Sequence, residues 1–262
     1  MLEVYLDEPG PPARDLAFEP WLLERAADGT ICVRLWSWPG PVVVIGHGQD
    51  ASDVDLEWCR AQGIPVLRRI TGGTGVIHHG DLAVSLVLPR AHPWARHLLG
   101  LYDAFLDVIE PALRAAGGEL RRPEAPRRAT RVRSPICFED LLSDTLLRGD
   151  RKVVGCAQAR RKNAVLVHAV VLLGLDPVLY ARVFQVPAER VARNLAPAVA
   201  GGNWQEIGRA VVTRLSDALG LECVTREVPE LPARFLEPYR TVKWVPVPAG
   251  AWNGNAGDWG SV

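Results

Sequence analysis

The stretch "NAVLVHAVVLLGL", residues 163–175, most narrows what this chain can become. It is apolar on both of the faces a strand presents, so it suits a central strand, buried on either side. Such a strand needs neighbours along both edges and helices over the sheet. The 262 residues are enough to build that around one sizeable core.

The flanking sequence supplies those elements. Residues 31–45, "ICVRLWSWPGPVVVI", read as two strands around the turn Pro39-Gly40, followed by the loop "GHGQD". "SDVDLEWCRAQG" reads as a short helix with Ser52 as N-cap, Asp55 three residues on and Gly63 as the stop. "IPVLRRI" is a strand, "TGGTG" breaks it, and "VIHHGDLAVSLVLP" resumes β character. From His97 to Ala116, Leu98, Leu101, Phe105, Val108 and Leu113 fall near helical spacing, with Pro111 a kink and Gly117 a stop. "DTLLRGDRKVVG" reads as a hairpin whose Gly149-Asp150 turn puts glycine first, as type II′ requires, and so pairs residue 147 with 152. Asp176-Pro177 starts a helix, "WQEIGRAVVTRLSDALG" is an amphipathic helix stopped by Gly220, and "LECVTREV" alternates as a last strand. Residues 121–133, "RRPEAPRRATRVR", carry six arginines and two prolines without periodicity and read as an exposed loop. Residues 1–246 are expected to form one domain, and the Gly-rich residues 247–262 a flexible C-terminal tail.

Thirty cationic residues balance thirty acidic ones, so the chain has no global attraction to nucleic acid or membrane, and a charged partner must be met by a local patch. No apolar run is long enough to span a bilayer, and the acidic, proline-rich start lacks the pattern of a signal peptide. Among the five cysteines the nearest pair, Cys137 and Cys156, is 19 residues apart, which disfavours a C-x-x-C zinc knuckle and suits a reducing cytoplasm.

Three stretches could carry chemistry. In "LRRITGGTGVIHHGD" the glycines Gly72, Gly73 and Gly75 let backbone N–H groups approach a ligand, with Arg68 and Arg69 beside them; the alternative is a glycine-rich turn with two solvated arginines. Neighbouring strand residues face opposite ways, so His78 and His79 make a poor chelate even with His168 as a third ligand, and one of the pair faces the site while the other packs or meets solvent. "SPICFED" contains Cys137, a buried hydrophobe unless a cation lowers its pKa. "GDRKVVGCAQ" contains Lys152, one of only three lysines against 27 arginines. A chain that keeps an ammonium there has a use for a compact donor that a planar guanidinium cannot replace. The hairpin register alone does not bring Lys152 opposite Cys137.

Together these stretches resemble the lipoate–protein ligase A and octanoyltransferase family of the biotinyl/lipoyl transferase fold. The family pattern R-R-x-x-G-G-G-A-V-x-H-D is matched by Arg68-Arg69-Ile70-Thr71-Gly72-Gly73-Thr74-Gly75-Val76-Ile77-His78-His79. Its G-R-K-x-x-G-S-A is matched by residues 149–157, including Lys152, Gly155 and Ala157, and its H-G by His168-Ala169. The segment "FLEPYRTVKW" is similar to the closing Y-x-x-x-x-W. Cys137-Phe138 stands where the ATP-dependent ligases show Asn-Asp, which resembles the cysteine-dependent, LipM-type octanoyltransferases. His79, Thr74 and Ala169 depart from the pattern's acidic residue, Gly or Arg, and Gly.

The resemblance implies a single α+β domain with a mixed β-sheet flanked by helices. It also implies transfer of an octanoyl or lipoyl group from an acyl-carrier-protein thioester to a lysine of a lipoyl-accepting protein, either a glycine cleavage H protein or a lipoyl domain. Cys137 and Lys152 would be catalytic; Arg68, Arg69, Gly72, Gly73, Thr74, Gly75, His78, Gly155, Ala157 and His168 would bind substrate. No metal or cofactor is then required. The alternatives are a ligase using ATP and Mg²⁺ through an acyl-adenylate, and a carrier-binding protein of the same fold with little turnover. Lys152→Arg should be nearly as damaging to transfer as Lys152→Ala, each losing roughly a hundredfold in rate, while Lys162→Arg should stay near wild type. Transfer rates of the two Arg variants, measured side by side, check this.

Overall fold

The doubly apolar stretch lies where its pattern demands, as β9 (Ala164–Val171) between β6 (Leu82–Pro89) and β8 (Arg151–Arg160). The computed structural model describes residues 1–8, 10–38, 40–125, 134–142 and 144–240. The other strands are β1 (Leu2–Leu6), β2 (Ile31–Trp36), β3 (Val42–Ile45), β4 (Val66–Arg68), β5 (Val76–His78), β7 (Thr145–Arg148) and β10 (Cys223–Thr225). The helices are α1 (Pro12–Ala27), α2 (Leu56–Ala61), α3 (Leu98–Ala115), α4 (Pro177–Phe184), α5 (Ala188–Asn194), α6 (Trp204–Leu219) and α7 (Ala233–Arg240).

Seven strands form one sheet in the order β10-β1-β2-β6-β9-β8-β7, with β1 parallel to both neighbours and the other pairs antiparallel. A second sheet, β4-β3-β5, has three strands. The chain is thus a single α+β domain with a mixed sheet. Alternation sorts the side chains of β9. Val165, Val167, Ala169 and Val171 enter the core shared with α3 and α6, whereas Ala164 and Leu166 enter the core shared with α1 and α7. His168 has the second parity, which turns it toward α1. Trp36 and Ala83 of the large sheet share a smaller core with Val42, Val44 and Leu67 of the small one.

The hairpin forms as read: Gly149 has φ +60°, Arg148 pairs with Arg151 and Leu147 with Lys152. Pro111 lies inside α3, which runs unbroken to Ala115. Other expectations need correction. Ser52 is not the cap of the next helix; Asp55 is, accepting from the Trp58 N–H, because Val54 is extended and separates α2 from a 3-10 turn capped by Asp50. β2 and β3 belong to different sheets, and so do β5 and β6, because Gly80, at φ +69°, turns the chain between them. In the arginine stretch, Arg121 bridges to Leu147 and pairs with Asp150, and Arg122 pairs with Asp107 and Glu110, so these two are not free loop charges. Residues 126–133 and the tail 247–262 lie outside the described residues. Among the described residues no helix is long and apolar enough to cross a membrane.

The first thirty residues hold elements that the periodicity did not reveal. α1 starts at Pro12 in its first turn and buries Leu16, Phe18, Leu22 and Leu23, but also Asp15 and Glu19. Asp15 is matched from β2 by Arg34, which is 0% exposed. Arg34 donates from Nη2 to Asp15 Oδ1 at 2.8 Å, from Nη1 to the Asp15 carbonyl at 2.6 Å and from Nε to Asp7 Oδ2 at 3.0 Å, and it stacks on Phe18 and Trp36. This network fixes α1 over the sheet. Arg34→Met would leave two buried carboxylates with only the partly exposed Arg14 for a cation, at 2.7 Å from Asp7 and 3.3 Å from Asp15, and should cost about 3 kcal/mol of unfolding free energy, measured by urea denaturation.

Candidate active site

The glycine loop, residues 71–75, joins β4 to β5 and is held from within by Arg69. Its guanidinium donates to Thr71 Oγ1 at 3.0 Å, Gly72 O at 2.8 Å, Thr74 O at 2.9 Å and Val44 O at 3.2 Å. Arg68 donates to the carbonyls of Gly46, His47 and Gln49. Both arginines, read from sequence as charge beside an anion cradle, are braces for backbone carbonyls. Gly73 has φ +98°, and a β-carbon there would lie 2.4 Å from Arg69 Nη2 and 3.8 Å from Cys137 Sγ. No side chain fits between the brace and the thiol.

Cys137 opens a 3-10 turn, Cys137–Glu139. Its N–H donates to Gly75 O at 2.9 Å, and the Gly75 N–H donates to Pro135 O at 2.8 Å, so the two segments are zipped together. Lys152 is 2% exposed, and two of its N–H groups find acceptors: Nζ donates to Cys137 O at 3.1 Å and Asp140 O at 3.0 Å, 5.5 Å from the centre of the Phe138 ring. Cys137 and Lys152 therefore meet, which the hairpin register did not show. An irregularity in the β7–β8 pairing beside Leu147 shifts the pleat where Lys152 leaves it. Gly155 makes room, since a β-carbon there would sit 3.0 Å from Lys152 Cε. An ammonium carries three N–H groups, and two of these are used. Among the described residues the third has no hydrogen-bond acceptor. Lys162, by contrast, is exposed.

The Cys137 side chain borders two cavities. One is narrow and mostly apolar, lined by Leu16, Trp36, Trp38, Val44, Val76, Phe138, Gly155, Ala157 and Val170, with Glu19, Arg69, His78 and His168 among its polar walls. The other is a mouth of about 190 Å³ lined by Gly72, Gly73, Thr74, Asp140, Asp144, Lys152 and Gln158. Cys156 touches both as well, but burial pushes its thiol well above the ordinary pKa, so it is a poor nucleophile beside Cys137.

Behind the loop runs a buried relay. Thr71 Oγ1 accepts from Arg69 and lies 3.0 Å from His168 Nε2; His168 Nδ1 lies 2.7 Å from Glu19 Oε1, which also accepts from Ser85 at 2.8 Å. With Nδ1–H donating to the carboxylate, Nε2 accepts the threonine hydroxyl, while the second Glu19 oxygen, Oε2, is buried without a hydrogen-bond partner among the described residues. Burial raises the Glu19 carboxyl, but the facing His168 and the hydrogen bonds from His168 and Ser85 outweigh it and hold it below its ordinary value. His78 is buried, with Nδ1 at 2.5 Å from Asp81 and its ring stacked on Trp38 at 4.6 Å, while His79 is exposed. The pair splits between cavity and solvent as strand alternation requires. Among the described residues no group of three metal-ligating side chains converges.

Gly72, Gly73, Gly75, Gly155, Cys137, Lys152, His78 and His168 lie in or beside this site, whereas His79 and Lys162 are exposed and line neither cavity. Missed were Glu19, Ser85, Trp38 and Asp81. The one signal for Glu19 was a pair of acids, Asp15 and Glu19, four residues apart within an apolar stripe.

A family model for the lipoyl protein ligase A/B catalytic domain matches residues 11–231. The chain is 32% identical to Octanoyltransferase LipM of Geobacillus kaustophilus over 194 residues, 71% of this chain and 70% of that one. It is 31% identical to the protein of the same name from Anoxybacillus flavithermus, over 70% of this chain and 69% of that one. Its fold is similar to a crystal structure of lipoate-protein ligase A bound with ATP, with a TM-score of 0.74 at 24% identity, covering 90% of this chain and 92% of that one.

The lowered Glu19 carboxyl sets a direction for pH dependence. A carboxyl whose folded pKa lies below its unfolded value stabilises the fold above that unfolded value, and the contribution disappears as pH falls through the folded one. The stability difference between wild type and Glu19→Gln should therefore be largest near neutrality and shrink once pH drops below the ordinary glutamate value of 4.5. Urea midpoints of both proteins from neutral to acidic pH check it.

Proposed function

The chain belongs to the lipoyl protein ligase A/B catalytic-domain family, and we infer from that membership and from its cysteine that it is an octanoyltransferase of protein lipoylation. It moves an octanoyl group to a lysine of a lipoyl-accepting protein. The observation that carries this reading is the place of Cys137, at the junction between a narrow apolar cavity and an open mouth, with a buried ammonium on its own carbonyl.

The apolar lining of the narrow cavity suits an unbranched acyl chain, for which its volume of about 30 Å³ must widen, each buried methylene contributing roughly 0.8 kcal/mol. The mouth suits what must enter and leave: the thioester arm of an acyl carrier protein, then the acceptor lysine of a glycine cleavage H protein or lipoyl domain. The Cys137 thiolate attacks the thioester carbonyl, and the tetrahedral oxyanion collapses by expelling the carrier thiolate, which takes up a proton. The acceptor's neutral amine then attacks the acyl-cysteine, loses a proton and expels the Cys137 thiolate as the amide forms. Lys152 acts in both halves, its third N–H directed to the developing oxyanion beside the mouth that Cys137 and Lys152 both line. A thioester donor is already activated, so neither step calls for a nucleotide. A free thiol nucleophile also suits a reducing compartment such as the cytoplasm.

Mixing the protein with octanoyl carrier protein in the absence of ATP, quenching in acid and weighing the product should give an octanoyl adduct on Cys137 that Cys137→Ala lacks, together with its transfer activity. Transfer by Cys137→Ala at an undiminished rate would overturn the assignment, and loading of a lipoyl domain only when ATP is added would favour a ligase.

A further inference from the structure

The turn that carries Cys137 is gripped through Glu139, the glutamate of "SPICFED", by residues of α5 that none of the sequence blocks contains. Glu139 is buried, and its carboxylate accepts from Arg190 Nε at 2.7 Å, from Arg190 Nη2, from Asn194 Nδ2 at 2.9 Å and from the Ser134 hydroxyl. Ser134 Oγ in turn accepts the Ile136 N–H at 3.1 Å. Burial pushes this carboxyl up, but the hydrogen bonds from Arg190, Ser134 and Asn194 outweigh it and hold Glu139 below its ordinary value, so the group is ionised at neutral pH.

What makes this more than a local brace is where α5 goes next. Directly after Asn194 the chain bridges to β8: Leu195 pairs with Lys152, and the Ala196 N–H donates to the Lys152 carbonyl at 3.3 Å. Phe138 packs in one core with Val191 and Leu195. A closed circuit results. α5 holds Glu139, Glu139 fixes the Cys137 turn, Lys152 Nζ holds the Cys137 carbonyl, and the Lys152 backbone returns to the end of α5. The circuit sets the thiol and the ammonium relative to each other, although Arg190 and Asn194 line neither cavity.

We propose that Glu139 and Arg190 are positioning residues for the acyl-transfer site, holding the Cys137 turn in register with Lys152. The proposal rests on Cys137 being the nucleophile. A misplacement of that turn acts on the reacting atoms and leaves the acyl channel and the mouth as they are. The loss therefore belongs to the rate at saturating donor, with KM nearly unchanged.

The test compares wild type with Glu139→Gln, Arg190→Met and the control Glu3→Gln. Glu3 is likewise a buried carboxylate held by two arginines, Arg25 and Arg226, but it lies far from the site on β1. Two quantities are read well below each protein's melting temperature: formation of octanoyl-Cys137 from octanoyl carrier protein, and hydrogen exchange of the peptide spanning residues 136–139. Glu139→Gln and Arg190→Met should each slow acylation at saturating donor by about tenfold or more, change KM less than about twofold, and speed exchange of that peptide. Glu3→Gln should lower the melting temperature with neither effect. Arg190 is partly exposed, so its variant keeps the test open should Glu139→Gln fail to fold. Acylation within about twofold of wild type, or an equal slowing in Glu3→Gln, overturns the proposal. If wild type forms no acyl-cysteine, the nucleophile assignment falls. Exchange then still decides whether the clamp exists, and unchanged exchange in both variants overturns it.

Discussion

A lysine ammonium buried to 2% exposure has to be surrounded by acceptors, and much of the site follows from meeting that requirement. Two carbonyls, of Cys137 and Asp140, supply the hydrogen bonds, and the Phe138 ring supplies a third, weaker attraction. The carbonyls can do so only if their turn stands against β8. That in turn requires a residue without a side chain at 155, a shift of the β7–β8 pleat, and the grip of Glu139 and α5 on the far side of the turn. The thiol comes along because it shares a residue with one of the acceptors.

The polar groups of this interior are arranged as chains of partners, with Asp15 Oδ2 and Glu19 Oε2 buried oxygens left over among the described residues. Arg69, Thr71, His168, Glu19 and Ser85 form one, Arg34, Asp7 and Asp15 a second, and Glu139, Arg190, Asn194 and Ser134 a third. Burying so many charges in a protein of this size would be ruinous one at a time. Paired, they fix directions that an apolar core leaves free: α1 over the sheet, the glycine loop behind the cavity, the cysteine turn against the lysine. Apolar packing decides that the layers close, and these chains decide the register in which they close. The Arg69 brace shows why the loop needs glycine where it does. A guanidinium turned inward to gather carbonyls fills the space that a side chain at 73 would use.

Departures from the family pattern are unequal once they are placed. His79 points to solvent and cannot alter the cavity directly. Thr74 lines the mouth, and its carbonyl is one of those gathered by Arg69. Ala169 borders the narrow cavity while packing into the core beneath α3 and α6. Of the three, only Thr74 and Ala169 are placed to affect what binds.

The sequence by itself determined whatever depends on neighbours along the chain. The doubly apolar run made β9 central, glycine at 149 made the hairpin, Asp176-Pro177 and Gly220 bounded helices, and the scarcity of lysine marked Lys152 before any partner was known. Local chemistry suffices there because a turn or a cap is decided within a few residues. It failed for α1, whose buried face carries Asp15 and Glu19 and so breaks the apolar period that signals a helix. It also misplaced the cap of α2, because Ser52 and Asp55 both offer a suitable side chain and only the path of Val54 separates them. Tertiary structure alone decided that Arg68 and Arg69 turn inward, that Glu19 stands behind His168, and that Cys137 reaches Lys152. Each of these joins residues far apart in sequence, such as Glu19 with His168 and Glu139 with Arg190. A buried charge takes its partner from whatever element the fold lays beside it, and spacing along the chain carries no record of that choice.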